Sequence, residues 1–164
     1  MTRTTVEGGA ARALGGTNAK ECDMSLDVVY TISSTATGGG RDGHVKSATG
    51  RIDLDTRPPA EMGGSGEGTN PEELFSAGYA ACFLGAIRAV GRNEKVAVPD
   101  DTSVDVTVGF GKTETGFGIN AAIKATLPGL AQADAEALVA KAHQLCPYSN
   151  ATRGNIDVDL TTAV

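Results

Sequence analysis

The 164-residue chain has no tryptophan and only seven other aromatic residues, so its interior has to be assembled from Ala, Val, Leu and Ile. Cysteine is scarce as well, at three. A chain of this size buries about 68–70% of its unfolded surface without covalent staples, so the cysteines need another explanation. Positive charge is in short supply: 14 Lys and Arg stand against 20 Asp and Glu, a net charge of −6. That is the wrong sign for a phosphate backbone, and no nucleic-acid partner is expected. The longest charge-free apolar stretch, Leu74 to Ile87, is 14 residues. It falls short of the ~20 residues of a spanning helix, and residues 1–23 lack the apolar segment of a secretory signal. The expectation is one cytosolic domain with no membrane partner. In that compartment a cysteine pair that oxidises is usually transient, as catalyst or sensor.

What the chain does have is glycine, 22 residues, and clear periodicity. Residues 1–24 are Gly-, Ala- and Thr-rich without a hydrophobic period and read as a flexible lead-in; residues 25–164 read as the domain. Leu26, Val28, Tyr30 and Ile32 alternate with polar neighbours as a half-buried strand does. A glycine turn at 38–43 follows, then two short strands joined at Gly50. Asn70-Pro71-Glu72-Glu73 announces a helix to about Val90: Asn caps, Pro suits the first position, and Glu73 completes a capping-box pattern. This helix is apolar or small on every face, so it has to be covered all round, in part by a partner subunit. Val104 to Phe110 and Phe117 to Leu127 alternate as an antiparallel hairpin. A second helix starts near Ala133 and turns Cys146 inward, and Pro147 stops it. A last strand contains Ile156, Val158 and Leu160. The order of elements indicates an α+β fold.

Several motifs carry little. Gly111-Lys112-Thr113 lacks the earlier glycine of a phosphate loop and lies in a hairpin. His44, Cys82, His143 and Cys146 have the chemistry of a Cys₂His₂ metal set, but no C-x₂-C pair is present, and neither metal nor cofactor is expected. Cys22 lies in the lead-in and reads as a bystander.

Two long strings remain. Asn70-Pro71-Glu72-Glu73-Leu74-Phe75-Ser76-Ala77-Gly78-Tyr79-Ala80-Ala81-Cys82, and Cys146-Pro147-Tyr148-Ser149-Asn150-Ala151-Thr152-Arg153-Gly154-Asn155, closely resemble the organic hydroperoxide resistance (Ohr) branch of the OsmC/Ohr family. Gly39-Gly40-Arg41-Asp42-Gly43 matches a third block in the same order. The resemblance runs from about Leu26 to the C-terminus, and Met24 stands where family members tend to begin. It implies the OsmC-like fold, antiparallel sheets around a buried central helix, in an intertwined homodimer. It implies a thiol peroxidase for alkyl and fatty-acid hydroperoxides, re-reduced by dihydrolipoyl groups on lipoylated proteins.

On that resemblance Cys82 is the peroxidatic thiol and Cys146 the partner that traps its sulfenic acid as a disulfide. Arg41 would hold the thiolate and then the peroxide oxygens, and Glu72 would orient Arg41. Phe75, Tyr79 and Leu84, if they line the site, favour organic hydroperoxides over hydrogen peroxide. Helical rise puts Glu72 about 15 Å from Cys82 along one continuous helix. Either the helix starts later, or Arg41 bridges the gap, or one group comes from a second subunit. Competing readings are an OsmC-type peroxidase of broader specificity, a stoichiometric thiol redox sensor, and a binding or structural protein without thiol chemistry.

Overall fold

A computed structural model describes residues 26–164; the expected lead-in, with Cys22 and Met24, lies outside them. The chain divides into two units, Met1–Thr31 and Ile32–Val164. Of the first, residues 26–31 form neither helix nor strand, and Leu26, Val28, Val29 and Tyr30 are exposed. The expected strand at 26–32 is therefore displaced: β1 is Ser34–Gly38. The reason is register. β1 pairs antiparallel with β2 (Gly43–Ser47) from Gly38 opposite Gly43 to Ser34 opposite Ser47, and β2 then turns away at Gly50. Alternation alone makes no strand without an opposing backbone.

All the described helices and strands lie in the unit Ile32–Val164. β2 pairs with β3 (Asp53–Thr56) as expected, completing a small antiparallel sheet. Helix α1 spans Pro71–Glu94, one turn longer than read, and Asn70 caps it by accepting from the Glu73 N–H at 2.9 Å. The reciprocal half of the capping box is diverted, since the Glu73 carboxylate accepts from the Thr69 hydroxyl. By length and composition α1 is apolar enough to cross a membrane, since its charges lie near its ends. Here it packs against β4 (Ser103–Thr113) and α2 (Gln132–Leu145).

The expected hairpin forms between β4 and β5 (Gly116–Thr126), with Glu114 and Thr115 at its tip. The third strand of this sheet, β6 (Val158–Ala163), pairs with β5 in parallel, which corrects the expectation of purely antiparallel sheets. Parallel neighbours need a long crossover, and α2 with a short helix α3 (Pro147–Thr152) supplies it. Tyr79, Phe83, Ile87 and Val90 of α1 meet Ala121, Ile123 and Ala125 of β5 and Leu138, Val139 and Ala142 of α2. Fully burying such a side chain contributes roughly 1.5–3 kcal/mol, so this small-residue core rests on close packing. The opposite face of α1 is bare in the single chain: Ala77, Ala81 and Gly85, four residues apart, are exposed.

Candidate active site

Cys82 is half-buried on α1, and Cys146 is fully buried where α2 meets α3. Their sulfurs are 3.6 Å apart, although 64 residues separate them in sequence. Both are free thiols. Cys146 takes part in two helices at once: its N–H donates to Ala142 O in α2, and its carbonyl accepts from Asn150 N in α3. Pro147 explains the break, because the residue before proline is held extended, and Cys146 has φ −63° and ψ 123°. Proline is also well suited to a first helical position, so the residue that stops α2 starts α3. That second role was not read from the sequence.

Burial pushes the Cys82 thiol above its ordinary pKa, and the adjacent Cys146 adds to the rise. The opposing influence is the Tyr148 backbone N–H in the first turn of α3, which favours the thiolate. Tyr148 also brings its ring to the site. It packs 5.9 Å from Phe75 and 5.6 Å from Tyr79, centre to centre. Gly78 makes room for it: a Cβ there would come within 2.9 Å of the Tyr148 hydroxyl. Phe75 and Tyr79 thus belong to one apolar cluster, and Leu84 is half-buried on α1.

Arg41 and Glu72 form the second pair. The guanidinium donates twice to the carboxylate, at 2.6 and 3.0 Å. This bidentate bond raises the Arg41 pKa and lowers that of Glu72, so both stay charged across the neutral range. The Arg41 guanidinium also lies 4.8 Å over the Phe110 ring, which stacks on Phe117.

The turn that carries Arg41 is clamped from β3. Thr56, which is buried, accepts from Gly43 N and donates to Gly40 O at 2.7 Å, holding both ends of the turn. Gly43 has to be glycine, since a Cβ would run into the Thr37 carbonyl. Beyond Thr56, Arg57 N donates to Thr69 O and Thr69 N to Asp55 O, which ties β3 to the residue before the Asn70 cap. The sheet and the start of α1 are thereby locked together, and Arg41 meets Glu72. Thr56 and Phe110 carried no local signal in the sequence, because their partners are distant along the chain.

The four expected residues therefore form two pairs, and no contact joins Arg41 to Cys82 among the described residues. Because α1 begins at Pro71, a later helix start does not close the gap. His44 does not join the cysteines either; it bonds Asp53 and Asp55 on the outer sheet at 2.8 and 2.9 Å. His143 packs its ring against Phe83 instead, and among the described residues no group of metal-ligating side chains is assembled.

Residues 64–161, which carry Glu72 and both thiols, match the family model described as OsmC-like protein. Over 137 residues the chain is 52% identical to an organic hydroperoxide resistance protein of Xanthomonas axonopodis pv. citri, covering 83% of this chain and 96% of the relative. Among solved structures, an organic hydroperoxide resistance protein of Legionella pneumophila superposes with a TM-score of 0.80 at 50% identity, covering 84% of this chain and 99% of that one. One from Elizabethkingia anophelis gives the same TM-score at 46% identity, over 84% of this chain and 99% of its own. The chain belongs to the OsmC-like family, among the organic hydroperoxide resistance proteins, a group whose name places it in oxidative-stress defence.

Proposed function

We propose that the chain is a cysteine peroxidase that reduces organic hydroperoxides to alcohols. The observation that carries this reading is the 3.6 Å approach of two free thiols beside an aromatic cluster. The Cys82 thiolate attacks one peroxide oxygen, the O–O bond breaks, and the departing alkoxide takes a proton to become the alcohol. Cys82 is left as a sulfenic acid. Cys146 attacks its sulfur, the S–S bond forms, and the hydroxyl leaves as water. A dithiol, for which dihydrolipoyl groups are the candidate, then reduces the disulfide by exchange and leaves as its own disulfide. The apolar rings beside Cys82 favour an alkyl or acyl-chain hydroperoxide over hydrogen peroxide.

The raised Cys82 pKa means that a cation has to act on the thiol, and Arg41 is the candidate. Two copies of the chain solve the distance problem. Glu72 and Cys82 are each five residues from Ala77, or about 7.5 Å along the axis. If two copies of α1 cross antiparallel at the exposed Ala77, the Arg41–Glu72 pair comes level with Cys82 of the partner subunit. The exposed apolar alternation at Leu26, Val28 and Tyr30 supports a second copy in the same way.

The test is consumption of cumene hydroperoxide with dihydrolipoamide as reductant. We expect many turnovers per subunit, none for Cys82→Ser, and a burst of one equivalent for Cys146→Ser. Consumption that stops at one equivalent in the unaltered protein would instead indicate a stoichiometric sensor.

A further inference from the structure

Three hydroxyl groups next to the thiols have no part in the chemistry above. Tyr79 Oη lies 2.9 Å from Ser149 Oγ and 3.2 Å from Thr152 Oγ1, and all three side chains are buried. Thr152 Oγ1 in turn donates to the Tyr148 carbonyl at 2.9 Å. Each hydroxyl has one proton to give, and one arrangement uses them in a single direction: Ser149 donates to Tyr79, Tyr79 to Thr152, and Thr152 to the Tyr148 carbonyl. No hydroxyl proton is wasted, and the chain ends on the residue whose own N–H favours the Cys82 thiolate.

This chain crosses between two helices: it starts and ends on α3 and passes through Tyr79 of α1. Tyr79 precedes Cys82 by three residues on α1, while Ser149 and Thr152 lie on α3, which begins immediately after Cys146. Six residues are too few for a helix to hold itself, so the place of α3 depends on its anchors. Other side-chain bonds in this region, from Arg153 to Asn150 and to the His143 carbonyl, are exposed. Among the described residues the fully buried side-chain hydrogen bonds between the helix of Cys82 and α3 are those of the hydroxyl chain, which add to the packing of the Tyr148 ring on Phe75 and Tyr79.

We propose that Tyr79, Ser149 and Thr152 are positioning residues for disulfide closure: they hold Cys146 on Cys82 and so decide whether the sulfenic acid is resolved or oxidised further. The inference rests on the peroxidase reading. The sulfurs must move from 3.6 Å to about 2.05 Å to bond, so closure is sensitive to small displacements of α3. The competing step is attack by the Cys82 sulfenate on a second hydroperoxide, which breaks another O–O bond, releases a second alcohol and leaves a sulfinic acid. Slower closure gives that step more time.

The experiment compares the full-length protein with Thr152→Val, which replaces the hydroxyl by a methyl group of similar shape, with Thr152→Ser, which keeps it, and with Tyr79→Phe. Closure of the Cys82–Cys146 disulfide is timed by acid quench and mass spectrometry, with cumene hydroperoxide and separately with the thiol oxidant diamide. Thr152→Val and Tyr79→Phe each remove two hydrogen bonds of the chain, and closure is expected to slow at least about tenfold in both. In Thr152→Val the sulfinic fraction at excess hydroperoxide should rise severalfold, while the first equivalent is consumed within about threefold of the normal rate. Thr152→Ser should close normally. Normal closure in Thr152→Val, or equal slowing of both steps, would overturn the proposal. The two readings fail separately. If the unaltered protein ignores hydroperoxide but the variants still close slowly with diamide, the peroxidase reading falls and the positioning role stands. If hydroperoxide turnover is normal and closure unaffected, the reverse holds.

Discussion

The Arg41–Glu72 pair and the Cys82–Cys146 pair are both anchored on α1, but they are held by different physics. Arg41 rides on a glycine turn of a small, polar, largely exposed sheet, and its side chain is 39% exposed. The thiols sit where α1, α2 and α3 meet, among fully buried residues. A half-buried ion pair can be opened by moving one surface turn and is weakened by salt, whereas displacing a packed cysteine means opening the core. The two thiols meet within one chain, whereas Arg41 meets its carboxylate and, among the described residues, makes no contact with Cys82.

The largest effect should come from breaking the charged half and repairing it from another chain. Arg41→Ala removes the donor expected at the developing oxyanion and should lower kcat/KM about 10²–10³-fold with little change in melting temperature. Mixing unfolded Arg41→Ala and Cys82→Ser chains and refolding them together should restore about a quarter of normal activity, because half the dimers are mixed and each has one complete site. No recovery would mean that each site draws its arginine and cysteine from the same chain.

A smaller effect is expected at the clamp behind Arg41. Thr56→Val keeps the shape but releases both ends of the turn, and kcat/KM should fall about tenfold while Thr56→Ser stays near normal. Steady-state kinetics with cumene hydroperoxide decides this. Equal activity in all three proteins would show that the turn holds its shape without Thr56.

Thr56 also shows where sequence reasoning stops. The Asn70 cap, the length of α1 to within a turn, and the β4–β5 hairpin were legible because their determinants lie within a few residues of one another. Cys82 and Cys146 were legible only through the long strings around them. The strand expected at Leu26 to Ile32 had the right alternation but no opposing backbone among the described residues. Helix α3 was hidden because Pro147 was read for its stop and not for its start. The parallel pairing of β6, the Thr56 clamp and the Arg41–Phe110 stack depend on partners far away in sequence, which no local pattern encodes.

The smallest effect belongs to the outer sheet itself. His44 is held above its ordinary pKa, first by the Asp55 hydrogen bond and then by that of Asp53. A raised folded-state pKa contributes stability that is complete below the unfolded value and lost as pH rises through the folded one. Melting temperature should therefore drop slightly from neutral to alkaline pH, and His44→Gln should flatten that drop. An unchanged slope in the variant would assign the pH dependence to other groups.

The central claim is that Cys82 and Cys146 act as one redox unit, and oxidation of the full-length protein with one equivalent of cumene hydroperoxide tests it most directly. Peptide mass spectrometry should find Cys82 and Cys146 joined by a disulfide, cumyl alcohol formed in equal amount, and both thiols recovered with dihydrolipoamide. Reduced thiols and intact hydroperoxide after that treatment would contradict the account.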